Sequence, residues 1–266
     1  MNHMTQAMRE LHQMDELSSM DSVIHRCHPL AKLLVTIVYI LTVASLSRYY
    51  LTGLIPMVFY PILAFAVSGI SVRLCFHKLR FILPLVCAVG IWNPFLDRTE
   101  ALIIGNAVIT GGMISFVTLM LKGIYALMAS FLLIATTNIE KICYALRMLH
   151  LPEFLATQIL MTYRYISLLL QEASTMMNAY MLRAPGQKGI HFSAWGSFAG
   201  QLLLRSMDRA QELYQSMQMR GFNGMFYYAD VEPFCIRDAA YPVFWIMAFL
   251  IMRFVNLSEL VGGMIL

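Results

Sequence analysis

The sequence predicts an all-α, polytopic membrane protein with about five transmembrane helices and a cytoplasmic module of long helices. Three observations carry this. Hydrophobic residues make up 59% of the chain and charged ones only 13%, about half the roughly 25% of soluble domains. Apolar runs near the ~20 residues that a helix needs to cross a bilayer recur along the chain. Between the last two of them lies a stretch too polar to span yet apolar at helical spacing. The organisation expected is a cytoplasmic segment at 1–29, transmembrane helices 1–4 at 30–137, a cytoplasmic helical module at 138–235 and a C-terminal transmembrane helix at 236–266.

The first 29 residues are polar and lack an apolar core followed by a small-residue cleavage site, so no removable signal peptide is expected. The first apolar run, Leu30 to Ser47, is opened by Pro29 and carries Lys32 near its start. The second, Leu51 to Ile70, contains Pro56 and Pro61, whose freed backbone groups neighbouring helices can satisfy. A basic link with Arg73, Lys78 and Arg80 follows. The third run, Phe81 to Trp92, is short, is interrupted by Pro84 and ends at Asn93-Pro94-Phe95. After the polar patch Asp97-Arg98-Thr99-Glu100, a glycine-rich passage to Gly112 reads as a loop or partial re-entry. The fourth run, Gly111 to Thr137, is long enough to span with tilt. The last run covers Ala239 to Val255.

Between these runs, Asn138 to Leu151 is amphipathic: Ile139, Ile142, Cys143, Leu146 and Leu149 oppose Glu140, Lys141, Arg147 and His150. Pro152 suits the first turn of a new helix. That helix sets Leu155, Ile159, Tyr163, Ile166 and Leu170 on one face against Glu153, Arg164, Gln171, Glu172 and Asn178. It stops at Arg183-Ala184-Pro185-Gly186. The next sets Trp195, Phe198, Leu202, Met207, Ala210, Leu213, Tyr214 and Met217 against Gln201, Arg205, Asp208, Arg209 and Glu212, and stops at Arg220-Gly221. Such helices bury a stripe against one another or against a partner.

With the N-terminus cytoplasmic, fifteen of the nineteen lysines and arginines fall inside. Arg48, Arg98 and Arg253 fall outside and Lys122 lies in mid-span, a bias that follows the positive-inside rule. Lys122 is costly in lipid and faces protein or water, as a structural partner or on a transport path. The net charge of +4 is modest and points to no nucleic-acid partner. Five scattered cysteines without CxxC spacing indicate neither a disulfide framework nor a zinc site. His25 and His28 flank Cys27 but lack two further ligands for a closed site, and His77, His150 and His191 lie far apart, so no metal site is expected.

No GxxxxGK[ST] occurs, so any energy for transport comes from another protein. Arg183 and Arg220 are natural contacts to one, since arginine pairs bidentately with carboxylates in buried interfaces. The same placement would also complement the negative ends of the two helix dipoles. Met161, Met176, Met177, Met181, Met207, Met217 and Met219 suit either a surface that repacks or an ordinary core. The apolar runs hold no histidine and no acidic residue before Glu259, which leaves an intramembrane enzyme without acid–base or metal groups. A self-contained carrier would show inverted repeats, which are missing.

The residues resemble the transmembrane (T) component of energy-coupling factor transporters, the CbiQ/EcfT family, over nearly the whole length. His25 with Pro29-Leu30-Ala31-Lys32-Leu33 is similar to the family's opening, and Ala135-Thr136-Thr137 to the threonine pair closing its fourth span. Leu151-Pro152-Glu153, Arg164-Tyr165-Ile166 and Glu172 resemble the start and middle of its first coupling helix. Arg183 and Arg220 fall where the family carries two Ala-Arg-Gly signatures. Here the first reads Leu182-Arg183-Ala184, with neither alanine nor glycine in place, and the second Met219-Arg220-Gly221, which keeps the glycine. Met219 to Gly224 looks more like the CbiQ branch, associated with cobalt and nickel, than the vitamin branch.

The resemblance implies a non-catalytic subunit without cofactor in a bacterial or archaeal plasma membrane. Two cytoplasmic ABC ATPases would dock at Arg183, Ala184, Gly186, Met219, Arg220 and Gly221, with Pro152, Arg164 and Glu172 supporting the helices. A substrate-binding S or CbiM-like membrane subunit, with a small accessory membrane subunit, would complete the assembly. The alternatives are a T component serving vitamin-type subunits and a conventional ABC importer permease, which docks its ATPase through one short cytoplasmic loop.

Overall fold

The computed structural model describes residues 2–47, 51–80, 82–92, 100–104, 107–184, 186, 189–224 and 235–254. Arg48, residues 93–99, Pro185, Lys188, the side chain of Arg237 and the chain beyond Phe254, with Glu259, lie outside the described residues. Described helices are α1 (Asn2–Ser18), α2 (Val23–Arg26), α3 (Pro29–Ser45), α4 (Phe59–Ser68), α5 (Val72–Leu79), α6 (Leu83–Gly90), α7 (Gly111–Thr136), α8 (Ile139–Met148), α9 (Glu153–Arg183), α10 (Trp195–Met219) and α11 (Ala240–Phe254). Apart from these and single 3₁₀ turns, strands β1 (Glu100–Ile104) and β2 (Ala107–Thr110) form one antiparallel hairpin. That corrects the reading of this passage as a loop or re-entry. Ile103, Ile104, Val108 and Ile109 flank Gly105-Asn106 in the sequence, a hairpin signal that the glycine count had masked.

The chain divides into two compact units, Leu17–Thr137 with Glu232–Leu266, and Met1–Glu16 with Asn138–Val231. In the first, apolar unit, α7 at 26 residues is the one described helix long and apolar enough to cross a bilayer by itself. Pro29–Ser45, Pro56–Ser68 and Ala240–Arg253 are shorter apolar helices. The third run forms α6, eight residues or about 12 Å long. This unit turns apolar side chains outward: Leu41, Ile62, Met113, Ile134, Val243 and Phe244 are all exposed. Water would penalise such a surface, whereas lipid tails do not. The protein is a membrane protein.

The core of the apolar unit is Val35, Tyr39 and Val43 of α3 packed with Leu54, Met57, Tyr60, Tyr125, Ala129 and Phe249. Tyr39 sits 4.7 Å from Tyr60 and 5.2 Å from Phe249, ring centre to ring centre, the tilted geometry that ring quadrupoles favour. The Tyr39 hydroxyl donates to the Met57 carbonyl at 2.9 Å. A helical Met57 carbonyl would otherwise accept from residue 61, and Pro61 has no N–H to give. A neighbouring helix thus satisfies the group that the proline frees, as the sequence required. The two prolines also shorten the second run, with 3₁₀ turns at Thr52–Leu54 and Pro56–Val58 before α4 begins.

Two lysines lock α3 against α7. Lys122 donates to the carbonyls of Ala44 at 3.2 Å and Leu46 at 2.5 Å, at the C-terminal end of α3. Lys32, near the start of α3, donates to the carbonyl of Thr136, the last residue of α7, at 2.8 Å. Each basic group meets carbonyls that a helix end leaves unpaired, where the dipole is negative. Arg253 joins the same end of α3 through the Ser45 hydroxyl at 3.0 Å. Lys122, midway along α7, is therefore level with the end of α3. Its partners are structural.

Candidate functional site

The second, polar unit is built on α9 and α10. α9 starts behind a closed turn. Asn138 caps α8, its side chain accepting from the Glu140 amide at 3.4 Å. α8 ends with His150 at φ 66, the Leu151 amide reaching the Leu146 carbonyl at 3.1 Å and the His150 amide the Arg147 carbonyl at 3.0 Å. This is the pattern of a left-handed helix stop, built here on histidine instead of glycine. Arg147 then pairs with Glu153 at 2.6 Å across the turn. Pro152 occupies the N-cap of α9, one residue before the first turn, and its carbonyl accepts from Leu155 and Ala156.

α9 buries Ala156, Leu160 and Ala173, which is not the face its strongest apolar residues mark. Leu155, Ile159 and Ile166 are exposed, and α10 contains no buried residue. Trp195, Met207 and Tyr214 of the expected α10 stripe are half exposed or more. Tyr163, Leu170, Phe198, Leu202, Leu213 and Met217 of the two stripes are only half buried. The large apolar residues Phe154, Leu155, Ile159 and Ile166 of α9 stay exposed.

α9 and α10 cross at mid-length, where Arg205 makes an ion pair with Glu172. On one side, Phe154, Gln158, Met161 and Tyr165 of α9 line a groove with Leu213, Met217, Phe222 and Gly224. On the other, Thr175, Tyr180 and Arg183 line a second groove with Ala194, Phe198 and Gln201. Early residues of α9 thus face late residues of α10, and the pair is antiparallel. Arg183 and Arg220 end at opposite extremes of this hairpin, on the order of 40 Å apart at 1.5 Å per residue.

Both arginines are exposed, and each follows an apolar side chain held almost wholly in solvent, Leu182 at 84% and Met219 at 91%. Their backbones differ. Arg220 is the C-cap of α10, followed by Gly221 at φ 78. The Gly221 amide meets the Gln218 carbonyl at 2.9 Å and the Phe222 amide the Met217 carbonyl at 3.0 Å, the two bonds of a Schellman stop. Arg183 is the last residue of α9, Ala184 caps it at φ −126, and the left-handed turn waits until Gly186 at φ 96. The displaced glycine of the first signature accounts for that delay.

Arg164 lies apart from both tips. It lines a cavity of about 400 Å³ with His12 and Asp15 of α1, Asn138, Glu140 and Tyr163. There the Tyr163 hydroxyl donates to Asp15 at 2.5 Å. Burial first, and then this bond, push the Tyr163 phenol above its ordinary range. No pattern in the polar first 29 residues marks α1 as packing here. Leu182 and Arg205 were likewise missed as site residues. Leu182 could have been found as a large apolar residue where the signature has alanine; Arg205 needed the crossing point, which no local pattern marks.

Among the described residues, no three His, Cys, Asp or Glu side chains gather as a metal-holding group. His28 is engaged in capping α3, its ring accepting from the Leu30 amide at 3.2 Å.

Comparison with known proteins shows the family. The CbiQ family model, described as cobalt transport protein, matches residues 20–228. The chain is 26% identical over 225 residues to the uncharacterized protein MJ1571 of Methanocaldococcus jannaschii, covering 80% of this chain and 76% of that one. It is 25% identical over 224 residues to the energy-coupling factor transporter transmembrane protein EcfT of Clostridium kluyveri, covering 77% and 81%. A shorter match, 33% over 89 residues and about a third of each chain, is to the nickel permease LarQ of Lactiplantibacillus plantarum. The chain belongs to the CbiQ cobalt transport protein family, and with it to the CbiQ/EcfT-type transmembrane components of transporters.

Proposed function

We propose that this chain transmits ATP-driven motion of two cytoplasmic ATPase subunits to a substrate-binding membrane subunit, for uptake of cobalt or nickel. One observation carries the reading. Two exposed arginines stand at opposite ends of an antiparallel helical hairpin, each beside its own groove and behind its own exposed apolar residue. One tip suits each of two ATPases, and a fork of five N–H donors suits carboxylates lining a groove. The unburied stripes of α9 and α10 supply apolar area for the same partners. The family description and the nickel permease among the relatives favour a divalent metal cargo.

In this reading the N-terminus is cytoplasmic, the membrane is crossed several times within 30–137 and again within 236–266, and 138–235 faces the ATPases. Gentle purification of the tagged chain from its own host recovers two ATPase subunits and a small membrane subunit; recovery alone every time contradicts the reading. For topology, Cys235 is exposed and Cys143 buried, so Cys235 is the reporter. A membrane-impermeant thiol reagent added to intact cells leaves Cys235 unlabelled, and labelling from outside reverses the orientation.

A further inference from the structure

The buried network around Lys32 lies outside the docking hairpin. Lys32 is 4% exposed and His25 9%, in the apolar unit. Lys32 Nζ donates to the Thr136 carbonyl at 2.8 Å and lies 3.5 Å from the His25 carbonyl. His25 Nε2 is 3.0 Å from the Leu17 carbonyl, and Nδ1 is 2.7 Å from the Ser22 hydroxyl. A carbonyl can only accept, so Nε2 donates to Leu17. The neighbouring hydroxyls of Thr136 and Thr137 are buried as well.

The position of this network along the chain gives it a role. Among the described residues the polypeptide passes between its two units at Glu16/Leu17 and at Thr137/Asn138. Leu17 and Thr136 each lie beside one of those passages. A single buried pair, Lys32 and His25, grips both through their carbonyls and ties them to the first turn of α3. Carbonyls at the end of α7 would otherwise be open to water or to fraying.

We infer that Lys32, with His25, is a positioning pair that makes both passages rigid. Displacement arriving through residue 138 moves α7 and α3 as packed bodies and is not absorbed by fraying of the last turn of α7. Packed helices transmit displacement because they are close-packed, while a frayed turn does not. This rests on the reading that the chain transmits ATPase motion, and adds which residues keep the transmission stiff.

The test uses the whole complex, chain with ATPases and membrane subunit, in liposomes, with radioactive cobalt(II) or nickel(II) as cargo. Lys32→Met and His25→Ala are expected to keep complex yield and ATP hydrolysis while uptake per ATP falls at least about tenfold, the factor that roughly 1.4 kcal/mol carries. His25→Gln can still donate to the Leu17 carbonyl and keeps uptake per ATP near the wild-type value. Hydrogen exchange at the last amides of α7 rises in Lys32→Met within the assembled complex. Unchanged uptake per ATP in Lys32→Met and His25→Ala overturns the inference. So does failure of both to assemble, which leaves the pair a purely structural role. A wild-type chain that binds no ATPase sinks the proposed function instead, and the two failures are told apart in the first lane of the experiment.

Discussion

Gly221→Ala isolates the geometry of one tip from its charge. Gly221 sits at φ 78, and a methyl group built there meets nothing within 4 Å. The cost of alanine is thus wholly conformational, roughly 1 kcal/mol for a left-handed non-glycine residue. Two bonds depend on that backbone, Gly221 to Gln218 and Phe222 to Met217. The penalty therefore falls on the final turn of α10, which carries Arg220, and not on the fold. A shift of about 1 kcal/mol lowers the population of the docked-tip geometry, and ATPase affinity with it, roughly fivefold. Gly200→Ala is the control. Gly200 is helical and equally open, so the same added methyl raises helix propensity by about 1 kcal/mol. Titration of purified ATPase onto the detergent-solubilised chain, with helicity on heating as the second readout, reads both. Weaker binding for Gly221→Ala with equal or greater helix stability for Gly200→Ala is expected. Wild-type affinity for Gly221→Ala would refute the claim that the Schellman stop aims Arg220.

Other expected outcomes follow from single contacts. Lys122→Met leaves the Ala44 and Leu46 carbonyls without their donor, at about 1–3 kcal/mol. The melting temperature in detergent falls while uptake per ATP in the surviving protein is unchanged; lost uptake at full stability would assign Lys122 to a transport path. Tyr163 is held neutral above its ordinary value of 10.0 by burial and by Asp15. An unfolded tyrosine loses its proton near that pH and the folded one later, so this contact's stabilisation is constant below it and fades as pH rises through the raised value. Tyr163→Phe removes that alkaline slope from the melting curve, and an identical slope in both proteins would disprove the coupling.

Helix limits were legible where periodicity and punctuation agreed. The end of α9 at Arg183 and the stop of α10 at Arg220-Gly221 follow from small and glycine residues that end an amphipathic pattern. α7 fills the run seen in the sequence to within one residue. Elsewhere the pattern misled. Hydropathy alone extended the second run to Leu51, while Pro56 and Pro61 cut its regular helix to ten residues. Apolar spacing marked a face on α9 that the chain leaves exposed, because period shows which residues share a face and not what covers it. Nor does spacing reveal pairings distant in sequence. Lys32 with Thr136, Lys122 with Ala44 and Glu172 with Arg205 join residues 104, 78 and 33 positions apart. Lys122 looked stranded because its acceptors belong to another helix end. Arg183 and Arg220 both end helices, but only the antiparallel crossing sets them at opposite extremes.

The docking claim is tested most directly by reversing both charges at once. Arg183→Glu with Arg220→Glu leaves the described backbone bonds of both stops untouched, since these run through amides and carbonyls. Metal uptake by cells carrying the double variant, measured beside its membrane level and the ATPases that co-purify with it, gives the answer. The account predicts normal membrane level, lost ATPases and no uptake above a strain lacking the chain. Full uptake with both ATPases still bound would contradict it.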